Sequence, residues 1–311
     1  MPSPANGKPQ IAEVEVLALL RERFAAPIDD LAVVSGGQIA QTYGFSAGGA
    51  HYILRFTQHM GANLDKEVLI QRLLAATPVP VAPILYVGRR GDLHYAISRR
   101  MPGAPLTESP PNTYEEVFPA LLQTLDDIHA VDVSATSGFG IFGDNGVGFF
   151  PSWRASLAFI REEEPEWDFY GKWHTLFETT FLERDVWDAI YARMMELLAV
   201  CPEERSLVHG NYGFGNVLAV DMRITAVLDW LDAKYGDFLF DVAWLDFWST
   251  ELNVHRRFAT HYAERSIAVP HYAERILCYQ CYIALDGMRF FAKRQHEEPY
   301  RWVRDVILSR L

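Results

Sequence analysis

Residues Leu207–Asp237, LVHGNYGFGNVLAVDMRITAVLDWLDAKYGD, hold the densest set of polar, glycine and short-strand signals in the chain. Asn216 to Val220 is a short apolar run, Asp221-Met222-Arg223 is turn-like, and Ile224 to Leu228 is a second β-rich run. Two such runs around a polar turn read as a hairpin. Antiparallel pairing about that turn sets Asn216, at the start of the first strand, opposite Leu228 or Asp229 at the end of the second. Directly paired residues have Cβ atoms roughly 4.5–5.5 Å apart, so an amide oxygen and a carboxylate can share one hard cation. A few oxygen ligands that leave room for phosphate oxygens suit Mg²⁺ held together with a nucleotide. His209-Gly210-Asn211 lies just before, where a base that orients a nucleophile is needed.

Upstream, Ile11 to Phe24 has helical spacing, with its charges on one side. Leu31 to Phe56 reads as strand, glycine turn, strand, Gly48-Gly49 turn, strand. Ser35-Gly36-Gly37 is either a plain hairpin turn or a glycine loop whose backbone N–H groups lie over nucleotide phosphates. In the third strand Ile53 and Arg55 share one face, and Tyr52, Leu54 and Phe56 share the other. A lone inward Arg55 needs an anion. A helix over 64–75 follows, and two more strands flank Arg90-Gly91-Asp92. Five strands and a helix thus make a small first lobe. Arg99 to Gly103 marks a change from strand to loop to helix, a natural hinge.

Downstream, the spacing predicts a helix over 113–131, and the glycine- and aromatic-rich stretch at 137–154 reads as a compact surface loop packed by its own aromatics. Glu162 to Trp173, EEEPEWDFYGKW, is acidic with interleaved aromatics, either a stacking surface for an aminated sugar or a solvated loop. Arg184 to Val200 is an amphipathic helix, Asp237 is a good N-cap for a Trp-rich helix after it, and helices from His271 and Tyr300 close the chain. His129 and Trp230 read as structural, and Trp244 as core. The pentapeptide HYAER, at His261 and His271, is too short to mark a repeat architecture.

Quoted as it stands, HGNYGFGN resembles the HGDxxxxN motif of the aminoglycoside phosphotransferase family, and VLDW resembles that family's metal-binding aspartate segment. The likeness extends from about Val34 to Leu252, and HYAISRR and SGFGIFGDNGVGFFPSWR are similar to the family's hygromycin branch. It implies an α+β, bilobal, protein-kinase-like fold, with a five-stranded antiparallel N-lobe over 1–100 and a larger, mainly helical C-lobe over 101–311. ATP is the implied phosphate donor, with GTP left open, and Mg²⁺ is implied on Asn216 and Asp229. Arg55 falls where the family carries its phosphate-contacting lysine, with Glu67 as its helix partner, though Glu67 and Lys66 read equally well as solvated helix-face charges, and Ser98, Arg99, Arg100 and Met101 fall where adenine meets the hinge. Asp132 and Trp248 match substrate-region positions; together with Asp232 and the run Glu162 to Glu166 they are the candidates for holding an aminocyclitol antibiotic. Asp237 matches an acid that braces the catalytic loop, with Asp241 supporting the same region. One position departs: Asn211 stands where the family has its catalytic aspartate.

Composition bounds the alternatives. A chain of 311 residues with 50% hydrophobic content builds a substantial core without staples. A net charge of −12 argues against nucleic-acid binding and favours cationic partners. Cys201, Cys278 and Cys281 lack a second ligand pair and read as core; together with the absence of an apolar leader or spanning run, they predict a cytoplasmic protein without membrane contact. A monomer is expected, though nothing in the sequence gives the oligomeric state. Three functions follow. The first is a drug-inactivating phosphotransferase carrying an Asp→Asn exchange at position 211 that impairs it. The second is a non-catalytic nucleotide or drug binder, and the third a metabolic kinase of the choline or homoserine type.

Overall fold

In a computed structural model, residues 8–35, 40–58, 64–110, 113–163 and 169–311 are described. The chain begins with α1 (Glu13–Arg23), β1 (Ile28–Val34), β2 (Gln41–Ala47), β3 (Ala50–Thr57), α2 (Asp65–Leu74), β4 (Ile84–Arg90) and β5 (Leu93–Arg99). The five strands form one antiparallel sheet in the order β1-β2-β3-β5-β4. Alternation decides its faces. Tyr52, Leu54 and Phe56 of β3 pack with Phe45, Tyr95 and Ile97 against Val16, Leu19 and Leu20 of α1, while Ile53 and Arg55 face the other way. The Gly48-Gly49 turn between β2 and β3 uses φ of 58° and 78°, which glycine adopts at little cost.

β6 (Ala104–Pro105) pairs not with this sheet but with Leu218 and Ala219 far downstream, so the chain changes sheets between Arg99 and Ala104. There follow α3 (Thr113–His129), β7 (Phe139–Phe142), β8 (Gly148–Phe150), α4 (Trp153–Ala158), α5 (Leu176–Thr179), α6 (Arg184–Leu197) and β9 (Ser206–Val208). β10 (Val217–Val220), β11 (Arg223–Val227), β12 (Lys234–Gly236), α7 (Leu239–Trp248), α8 (Val254–Glu264), α9 (Tyr272–Lys293) and α10 (Glu297–Leu308) complete it. Helices dominate this second part, and its core runs through Trp153, Trp187, Leu207, Phe240, Tyr279 and Ile283. Ile70 and Leu74 of α2 belong to that larger core and not to the sheet's own. Val227 N–H also donates to Pro80 O at 2.8 Å, a second tie between the two parts. The CxxC cysteines are buried in α9 and free.

The stretch at 137–154 is not a self-packed loop. Its β7 and β8 join β9 and β12 in a four-stranded sheet, and Phe142 stacks on Tyr235 at 4.2 Å instead of on its own loop's aromatics. Among the described residues, no helix is long and apolar enough to cross a membrane.

Candidate active site

The hairpin forms as its pattern requires. β10 and β11 pair Val217 with Val227 and Val220 with Arg223, around a tight turn in which Asp221 and Met222 have φ of 47° and 63°. Leu228 N–H donates to Asn216 O at 2.8 Å, which sets Asn216 across from Leu228 with Asp229 next to it. The Asn216 amide nitrogen donates to Asn211 O at 3.0 Å, leaving the amide oxygen as the group available to a cation.

Just upstream, the backbone N–H groups of His209 and Gly210 donate to the two carboxylate oxygens of Asp241, each at 2.8 Å, and His129 Nε2 lies 3.0 Å from the same group. The brace of the loop is therefore Asp241, one turn into α7. Asp237 does something else: it accepts from Leu239 N–H at 3.1 Å and is held by Arg275 and Tyr279, pinning α7 to α9. Burial pushes the Asp241 carboxyl up, but the His129 hydrogen bond and the neighbouring imidazoles and N–H groups outweigh it and hold it below the usual range. His209 is fully buried. Its Nδ1 accepts from Asn211 N–H at 3.2 Å, so Nε2 carries the proton toward Leu228 O at 3.0 Å, and burial pushes the ring toward this neutral form. Gly210 sits at φ 81°, and a Cβ there would lie 2.3 Å from Asp232 O; only glycine admits this approach.

Arg55 of β3 pairs with Glu67 of α2, as expected of a phosphate-holding pair. Burial pushes Arg55 down, but Glu67 and Asp229 overcome it, so the guanidinium is firmly charged. Burial, with the charges of Asp232 and Glu67, lifts the Asp229 carboxyl to about 6 against the pull of Arg55. A carboxylate raised in this way gains from a bound cation. No group of three His, Cys, Asp or Glu side chains among the described residues makes a full cage. One carboxylate and one amide oxygen thus fit Mg²⁺ sharing its shell with phosphates and water, and do not fit a metal held by protein alone.

Lys66 is not a solvated helix charge. It is buried, donates to Leu231 O at 2.7 Å and Ala233 O at 2.6 Å, and lies over the Phe142 ring at 4.4 Å. Burial lowers its pKa to about 7, with Asp232 opposing. Lys66-Glu67 thus grips the segment after Asp229 with one side chain and Arg55 with the next. Lys234, also buried, lies 4.4 Å from the Phe240 ring centroid. Nothing in the local sequence announces Lys66, because its acceptors lie far along the chain.

A pocket of about 260 Å³ opens beside Asn211 and Asn216, walled by Thr107, Phe214, Trp244 and Trp248. Trp248 lines this pocket, and Trp244, expected in the core, forms the wall beside it. Asp232 is exposed and accepts from the Asn211 amide at 3.4 Å. Asp132 is not brought to this pocket; it accepts from Ser134 N–H at 2.8 Å in an exposed turn after α3. Ser98 is buried in β5, while Arg99 and Arg100 spend their N–H groups on Pro83 O (2.8 Å) and His51 O (3.0 Å). Met101 follows in the connection to β6. Ser35 is exposed at the end of β1, whereas Gly36, Gly37 and residues 164–166 of the acidic run lie outside the described residues.

A five-stranded sheet bearing an Arg–Glu pair, joined by a short connection to a helical part that carries a His-Gly-Asn loop and an Asn/Asp hairpin, is a kinase-like phosphotransferase architecture. The chain belongs to the phosphotransferase enzyme family, whose sequence profile matches residues 30–277. It is 32% identical over 286 residues to hygromycin-B 4-O-kinase of Escherichia coli, covering 90% of this chain and 80% of that protein. Among solved structures it is similar to a thermostable variant of aminoglycoside phosphotransferase APH(4)-Ia in a ternary complex with AMP-PNP and hygromycin B. That match has a TM-score of 0.82 at 28% identity, over 95% of this chain and 97% of that one. A structure of APH(4)-Ia itself gives 0.79 at 29% identity, over 96% and 98%.

Proposed function

We propose that the protein is an ATP-dependent O-phosphotransferase whose acceptor is a hydroxyl of an aminocyclitol antibiotic of the hygromycin B type. The carrying observation is that Asn211 and Asn216 line a pocket walled by two tryptophans, while Asp229, next to the residue that pairs with Asn216, interacts with the charge of the Arg55–Glu67 pair. The similarity to a kinase named for hygromycin B supports the substrate class.

In this reading Arg55, oriented by Glu67, holds donor phosphates through its fork of N–H groups. Asn216 and Asp229 would hold Mg²⁺, which supplies charge neutralisation for the transferring phosphoryl group. With the N–H groups of Arg99 and Arg100 already used, the adenine edge meets the connection at Met101 and the carbonyls before it. Trp244 and Trp248 offer flat faces to the sugar rings. In this reading residues 1–100 contribute Arg55 and Glu67 to the donor, and 101–311 contribute the metal residues and the acceptor side. Asn211 is close in shape to the aspartate of the family's motif but is no base, so turnover is lower than the Asp form would give. We take the amide as an exchange on an otherwise equipped site.

The test is incubation of the protein and its Asn211→Asp form with ATP, Mg²⁺ and a panel of hygromycin B, other aminoglycosides, choline and homoserine, following ADP and phosphorylated product. The Asp form is expected to phosphorylate hygromycin B faster than the Asn form. If it phosphorylates no aminocyclitol, the reading fails; turnover of choline or homoserine alone would make the protein a metabolic kinase.

A further inference from the structure

Asn211 leaves the reaction without a proton acceptor where the family's motif has one, yet a carboxylate stands beside it. Asp232 Oδ2 is 3.4 Å from the Asn211 amide nitrogen, and Asn211 lines the pocket. Its backbone is held from two sides. Gly210 packs so closely on Asp232 O that a methyl group there would sit 2.3 Å away, and Lys66 holds the carbonyls of Leu231 and Ala233 on either side, at 2.7 and 2.6 Å. The charged and titratable groups around it are Lys66, Lys234, His209 and Asp229. An exposed carboxylate on a clamped backbone, next to an amide that cannot accept the proton, is a preorganised substitute.

We infer that Asp232 is the proton acceptor of the Asn211 protein. This rests on the phosphotransferase reading and adds a catalytic residue to it. The acceptor hydroxyl oxygen forms a bond to the γ-phosphorus of the nucleoside triphosphate, and the bond from that phosphorus to the β,γ-bridging oxygen breaks. The electron pair leaves on the diphosphate, and the hydroxyl proton goes to the Asp232 carboxylate. Asn211, hydrogen-bonded to Asp232, keeps that carboxylate turned toward the pocket rim.

A double-mutant cycle tests it. kcat for hygromycin B is measured in four proteins: the Asn211 chain, its Asp232→Asn form, its Asn211→Asp form, and the double variant. Calorimetric hygromycin B affinity and melting temperature are taken for each. Asp232→Asn is isosteric at an exposed position, so each Asp232→Asn form is expected to melt like its own background. The expected result is that Asp232→Asn lowers kcat of the Asn211 chain by about 100-fold or more, within the range of a lost general base. Drug affinity stays within about 3-fold, and in the Asn211→Asp background the same change costs under about 3-fold, a coupling between neighbouring groups. Equal losses in both backgrounds overturn the inference. So does a fall in drug affinity with kcat kept, which makes Asp232 a holder of the drug's ammonium groups. An Asn211 chain without turnover beside an active Asp form overturns it too. If neither form phosphorylates an aminocyclitol, the phosphotransferase reading itself has failed.

Discussion

Removing the Asp241 carboxylate by Asp241→Ala isolates the brace of the 209–211 loop. The side chain is fully buried and serves three partners: the N–H groups of His209 and Gly210, each at 2.8 Å, and His129 at 3.0 Å. A buried donor left without a partner costs about 1–3 kcal/mol. Two backbone donors therefore set a loss of about 3–5 kcal/mol, with the imidazole able to turn toward water and add little. Unfolding entropy of about 2.1 cal/mol/K per residue over 311 residues gives about 0.65 kcal/mol/K. The melting temperature should then fall by about 5–8 °C. The loop should also lose its register against Asp232, lowering kcat by at least about tenfold.

The same variant has a defined pH signature. The Asp241 carboxyl is held below its ordinary value in the folded protein, so the unfolded chain binds its proton first as pH falls. The stabilisation is thus fully present above the unfolded value near ~4 and is lost as pH falls through the folded one. The gap between parent and variant melting temperatures should stay constant from about pH 5 to 8 and shrink only below about 4. Calorimetric melts across that range provide the measurement. A gap under about 1 °C at pH 7 with unchanged kcat would refute the brace.

Arg275→Met strips the partner from Asp237, which is fully buried; urea denaturation should show a loss of about 3–5 kcal/mol, partly recovered in Arg275→Met with Asp237→Asn. Gly210→Ala must move a Cβ away from Asp232 O, 2.3 Å distant, from a backbone at φ 81°; steady-state kinetics should show kcat down by about tenfold or more with nucleotide KM little changed. Asp229, lifted to about 6 by burial and by Asp232, must shed its proton to bind a cation, so Mg²⁺ affinity measured with a non-hydrolysable ATP analogue should be flat above about pH 7 and fall roughly tenfold per unit below 6. Asp229→Asn should abolish that dependence along with most of the affinity.

What was legible from residues alone is what depends on neighbours in sequence. The hairpin at 217–227 and the faces of β3 follow from alternation and turn chemistry, and each forms as read; Glu67 as the partner of Arg55 is implied by the family resemblance, and the two do pair. The errors fall where the deciding contact is remote. The stretch at 137–154 has the glycines and aromatics of a self-contained loop, but Phe142 stacks on Tyr235 and its strands are completed by β9 and β12. Asp237 and Asp241 look alike on paper, one turn apart. Which of them holds the catalytic loop is settled by Arg275, entering from α9 to claim Asp237 and leaving Asp241 for His209 and Gly210. Lys66 gave no local sign because its acceptors are Leu231 and Ala233, more than 160 residues on. That contact also explains why position 211 could not be judged by itself. A missing carboxylate matters as far as no other can reach the same hydroxyl, and the segment that brings Asp232 to Asn211 is held by Gly210 and by a lysine from the opposite end of the chain.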